Sequence, residues 1–177
     1  MTDVRSQSNY QLRLGWGSVA LDELAAAHVI VIVDALETTD TENLATAAAN
    51  LPDKPAVYRA SLRNATATAQ AIYDEQVNSG ELKRINLVLA GDEREGFAVE
   101  DYLAAGAVAD ALTNLGIDHS APDVAVAGEG FRSLKRAVKH LISASAAGLA
   151  LKEAGRKDVV KAAGELDADS QALRFTE

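Results

Sequence analysis

The chain has 177 residues, 48% hydrophobic and 24% charged, with no cysteine and a formal net charge of −9. A chain of this size buries about 70% of the surface its extended form exposes, so it needs neither a disulfide nor a structural metal to fold. The missing cysteine excludes thiolate nucleophiles and sulfur-ligated zinc, and the acidic balance argues against nucleic acid or anionic lipid as a partner.

The opening MTDVRSQSNY is polar, and no apolar run approaches the ~20 residues needed to span a bilayer, so the chain reads as cytoplasmic with no membrane partner. Gln11 to Leu14 alternates polar and apolar residues as a short edge strand does, and Gly15 and Gly17 close it around the single tryptophan, Trp16. Ser18 then reads as the N-cap of a helix running to Ala27. His28 to Val33 reads as a strand, and its apolar run from Val29, the signature of a strand buried on both faces, ends in Asp34.

Thr39 to Asn50 is an alanine-rich helix with acidic residues in its first turn, ended by Pro52 and Pro55. Ala56 to Ala60 is a strand, Arg63 to Asn78 a helix with Ala67, Ala71 and Ile72 on one face, and Ile85 to Ala90 a second strongly apolar strand. Ala98 to Leu115 follows as a helix lined by Leu103, Ala107 and Leu112 and stopped by Gly116. Gly130 to Leu151 reads as one helix or as two broken near Gly148. Arg156 to Ala163 is another helix, and Ala172 to Thr176 an edge strand. The order β, α, β, α predicts a three-layer α/β/α domain with a mostly parallel sheet, a single unit over 1–177.

Chemistry concentrates at two strand ends. In α/β folds ligands bind at the carboxyl edge of the sheet, where Asp34 emerges. A carboxylate there can hold a hard cation, while Thr38 and Thr39 and the free N–H groups of the following helix can receive an anion. The second loop, GDEREGFAVED, leaves a buried strand and places Glu100 and Asp101 in the first turn of a helix. Acids in a first turn are commonly dipole partners in solvent; the sharper reading is that Asp34 with Glu100 or Asp101 binds Mg2+ together with water and substrate oxygens.

Other chemistries lack support. No GxSxG elbow and no glycine-rich nucleotide loop occurs, and His28, His119 and His140 are not spaced for a metal. Arg132, Lys135, Arg136 and Lys139 recur on one helix face as a solvated stripe, with attraction of an anionic ligand or acidic partner as the functional alternative.

The blocks VIVIVDALETT, SLRNATATA and LVLAGDEREGFAVEDYLAAGAVADAL, in this order, resemble the 2-phosphosulfolactate phosphatase family. The closing LKEAGRKDVVKAAGELD is similar to that family's last element. The resemblance implies a Mg2+-dependent phosphatase with an α/β/α fold that acts on a small anionic phosphate ester, 2-phosphosulfolactate, in a route to coenzyme M. By position it makes Asp34 the strand-end aspartate and Thr38 and Thr39 the threonine run. Asn64 and Ala65 fall on an NA pair, and Gly91, Phe97, Glu100 and Asp101 on the later signature.

Two departures stand out. Glu37 occupies a position where many members have arginine or serine, and the chain is short between Asn50 and Asn64, where members carry a long insert with glycine-rich and hydroxyl-rich turns. The economical mechanism is metal-assisted hydrolysis, with Mg2+ on Asp34 and an acidic partner and with Glu100 or Asp101 as base; an aspartyl-phosphate on Asp34 is the other route. The alternative to an enzyme is a catalytically degraded homologue kept as a binding or structural module, with a homodimer formed through its alanine-rich helices.

Overall fold

The computed structural model describes residues 4–36, 40–92 and 96–176. Four parallel strands, β1 (Leu12–Trp16), β2 (Val29–Val33), β3 (Ala56–Ala60) and β4 (Ile85–Leu89), are joined by a short antiparallel β5 (Leu173–Arg174) in the order β1-β4-β2-β3-β5. The helices are α1 (Gly17–Glu23), α2 (Asp40–Ala49), α3 (Ala65–Ser79), α4 (Val99–Asn114), α5 (Pro122–Leu134), α6 (Val138–Ala144), α7 (Ala146–Glu153) and α8 (Lys157–Ala163).

Strand pleating divides the core in two. Val29, Val31 and Val33 of β2, with their β4 partners Ile85, Leu87 and Leu89, face one cluster that includes residues of α3, α4 and α5. Ile30 and Ile32 face the other, which contains Ala20 and Leu24 beside Leu44, Ala45 and Ala48 of α2. Every residue of β2 and β4 is buried. Their apolar character, broken only by Asn86 of β4, whose amide donates to the Ala25 carbonyl at 3.0 Å, follows from having helices on both sides.

This layering positions the site. β2 leads into α2 on one face of the sheet, whereas β4, its hydrogen-bonded neighbour, leads into α4 on the other. Adjacent strands whose connections leave to opposite faces open a crevice between their carboxyl ends, the place where α/β folds bind ligands.

Several local expectations shift. Trp16, in extended conformation, is the N-cap of α1, and Ser18 lies inside the helix, because β1 runs straight into it at Gly17. The buried face of α3 is Ala65, Thr68, Ala69 and Ile72, while Ala67 and Ala71 sit at its margin. The break in the C-terminal helices falls at Ser145, whose hydroxyl accepts from the Gly148 N–H and so starts a new helix. That helical region also begins earlier than Gly130, at Pro122, where a proline is tolerated in the first turn.

The C-terminal segment latches the carboxyl end of β3. Asp167 caps α3 from outside, accepting from the Thr66 backbone N–H at 2.9 Å and the Thr66 hydroxyl at 2.8 Å. Arg63 holds Asp169 with two bonds of 2.8 and 2.9 Å. Asp167→Ala should therefore cost about 1 kcal/mol, the usual loss of an N-cap, read as a lower urea midpoint. Among the described residues no helix is long and apolar enough to cross a membrane.

Candidate active site

Asp34 directly follows β2, and its backbone N–H donates to the Ala60 carbonyl across the sheet at 3.0 Å. Its side chain is 4% exposed. One carboxylate oxygen accepts from the Leu36 N–H at 3.0 Å, and the other accepts from the Thr41 hydroxyl in the first turn of α2. These contacts fix the rotamer. Strand-end apolarity pointed to Asp34, but nothing in the sequence separates Thr41 from the other small hydroxyl residues around it.

Asp101 reaches the crevice from the opposite face. It is 2% exposed, and its two oxygens accept from the backbone N–H groups of Ala35 and Gly91, each at 2.8 Å. One carboxylate thus ties the loop after β2 to the loop after β4. Gly91 has φ +80°, a left-handed conformation that costs a side chain energy, and it aims its N–H at Asp101. Glu100 is 5% exposed and makes no hydrogen bond among the described residues. The two acids are therefore buried, not solvated partners of the helix dipole.

Electrostatics follow from this packing. Burial pushes the Asp101 carboxyl well above the usual carboxylate range, the charge of Asp34 pushes it further and Glu100 adds to the rise, while the N–H bonds from Ala35 and Gly91 oppose it. The native state therefore holds a proton that the unfolded chain would release. The resulting stabilisation is complete below the ordinary carboxylate range and is lost as pH rises through the raised pKa. Metal-free wild type should gain melting temperature relative to Asp101→Asn on acidification from neutral pH, a difference measurable by scanning fluorimetry.

The other expected site residues are placed as follows. Asn64 is 2% exposed at the end of β3; its amide oxygen accepts from the Ser61 N–H and its nitrogen donates to the Arg59 carbonyl, closing a capping box that sets the entry to α3. Thr38 and Thr39, together with Glu37, lie outside the described residues. Arg132 pairs with Asp110 at 2.6 Å and with Glu129, so part of the basic stripe is neutralised within the fold. No group of three His, Cys, Asp or Glu side chains among the described residues is placed to hold a metal ion.

Three aromatic residues meet beside this crevice. Trp16 at the end of β1, Phe97 just before α4 and Tyr102 in its first turns have ring centroids 5.5 to 6.1 Å apart. Sequence reading left them unlinked, because Trp16 is distant along the chain and joins the pair only when β1 aligns with β4, Trp16 opposite Leu89.

Compared with known families, the chain matches the model described as 2-phosphosulpholactate phosphatase, the alternative spelling of the family above, over residues 36–176. No curated protein matches it.

Proposed function

We propose, since the chain belongs to the 2-phosphosulpholactate phosphatase family, that it hydrolyses a small phosphate monoester in the crevice between the ends of β2 and β4, with Mg2+ as the working cation. The observation that supports this most is the burial of Asp34, Glu100 and Asp101 after the two neighbouring strands, with Asp101 engaged with the loops that follow both of them.

The donor set fits the ion. Magnesium takes hard oxygen ligands and completes its octahedron with water and substrate oxygens, so two carboxylates suffice. A cation would also relieve the repulsion that Asp34 exerts on Asp101. Each carboxylate oxygen has two lone pairs, so the two N–H bonds to Asp101 leave acceptor capacity on that residue.

In this reading Asp34 and Asp101 hold the ion, which when bound supplies positive charge that polarises the phosphoryl group. Glu100 takes the proton of an attacking water as the water oxygen bonds to phosphorus; the bond from phosphorus to the ester oxygen breaks, and the alcohol departs with a proton from solvent. The lack of a hydrogen-bond partner for Glu100 among the described residues favours it as the base. Asp34, with both oxygens engaged, suits a holding role better than that of a nucleophile.

A colorimetric assay of phosphate release from a panel of monoesters tests this. Wild type should release phosphate only with Mg2+, and Asp34→Asn should lose about a hundredfold or more of that rate. Absence of Mg2+-dependent release from every ester would leave the chain as a degraded relative serving a binding or structural role.

A further inference from the structure

Asp34 and Asp101 are braced by different means. Asp101 accepts from the N–H groups of Ala35 and Gly91, which backbone alone supplies. The contacts of Asp34 include the Leu36 N–H and also a side chain, the hydroxyl of Thr41. Thr41 is the second residue of α2 and is 7% exposed. Both partners are buried, so water does not compete for the bond and the low local dielectric strengthens it.

The sequence gives that hydroxyl this one direction. A threonine inside a helix commonly turns its hydroxyl back to a carbonyl one turn earlier, but Thr41 lies too near the start of α2 to have such a carbonyl within the helix. Its branched Cβ leaves few rotamers, and the one adopted reaches Asp34. α2 itself is seated by Leu44, Ala45 and Ala48 on the face of the sheet that carries Ile30 and Ile32. A core-anchored helix thus carries the group that orients the strand-end carboxylate. A metal-binding carboxylate oriented in advance binds its ion without the entropic cost of being ordered at that moment.

Resting on the cation site of the hydrolase reading, we propose that Thr41 is a positioning residue that sets the Mg2+ affinity of the crevice by presenting Asp34 from the wall formed by α2. It contacts neither ion nor substrate and acts through Asp34.

Calorimetric titration of Mg2+ into wild type, Thr41→Val and Thr41→Ser tests this, with phosphate release and melting temperature measured on the same preparations. Valine keeps the shape and removes the hydroxyl, whereas serine keeps the hydroxyl and removes a methyl group. Thr41→Val should bind Mg2+ about tenfold or more weakly, and Thr41→Ser should stay within about threefold of wild type. Phosphate release by Thr41→Val should fall at limiting Mg2+ and recover, at least in part, when Mg2+ is raised. Thr41→Ala, which removes the hydroxyl without placing a methyl group against the carboxylate, gives the same reading should valine prevent folding. A purely structural Thr41 would lower the melting temperature of the valine variant and leave the Mg2+ affinity of the folded protein unmoved; that result, or a serine variant as weak as valine, overturns the proposal. Weakened binding in Thr41→Val alongside a wild type that hydrolyses no ester would sink the hydrolase reading and keep the role of Thr41. Mg2+-dependent turnover with equal affinities would do the reverse, and a wild type that binds no Mg2+ overturns both.

Discussion

Asp101→Ala should lower the stability of the protein by about 2 kcal/mol and reduce phosphate release by at least about a hundredfold. The stability term has two opposed parts. Removing the carboxylate leaves the N–H groups of Ala35 and Gly91 without the acceptor they share, and each orphaned buried donor costs about 1–3 kcal/mol. Relief of the repulsion from Asp34 and of the desolvated charge offsets part of that loss. The rate falls further because the two loops are no longer tied across the crevice and one of the two proposed ligands of the cation is gone. Urea unfolding and steady-state kinetics on the same preparation separate the two effects, and a variant with unaltered midpoint and rate would remove Asp101 from the account.

Gly106→Ala is expected to be strongly damaging for so conservative a change, with a loss of about 3 kcal/mol and a melting temperature lower by about 6–12 °C. α4 and α5 make the most intimate helix pair of the molecule at this point. A Cβ on Gly106 would sit 2.2 Å from the Ala127 carbonyl oxygen and 2.8 Å from the Phe131 Cβ. The first obstacle is backbone, so no side-chain rotation removes it, and the two helices must move apart. Gly128→Ala provides the control. It lies in the middle of α5, and its nearest neighbour would be the Ala109 Cβ at 3.9 Å. That substitution should be neutral or stabilise by up to about 1 kcal/mol, since alanine is the better helix former. Equal melting temperatures for the two variants would contradict the packing described.

The parallel sheet was legible because its central strands need apolar residues on both faces. Ala56–Ala60 is found at its expected bounds, and the run ending at Val33 places Asp34 where expected. Boundaries set by capping were harder to read. At the start of α3 the reciprocal bonds of Ser61 and Asn64 and the distant cap Asp167 fix where the helix begins, and the Ser145 hydroxyl decides the later break. Burial of Glu100 and Asp101 was not legible either, since acids in a first turn have the same pattern whether they face solvent or a crevice. Their environment depends on α4 leaving β4 on the face opposite to α2, a property of the assembled layers. The meeting of Trp16, Phe97 and Tyr102 depends likewise on the lateral pairing of β1 with β4.

Calorimetric titration of Mg2+ into the folded protein at neutral pH, on wild type and on Asp34→Asn, tests the central claim most directly, because it reads the cation without requiring a substrate. Saturable binding in wild type that disappears in a variant still folded by circular dichroism is the predicted result. Identical heats in the two proteins, or no binding to wild type, would contradict a cation site built on the strand-end carboxylates.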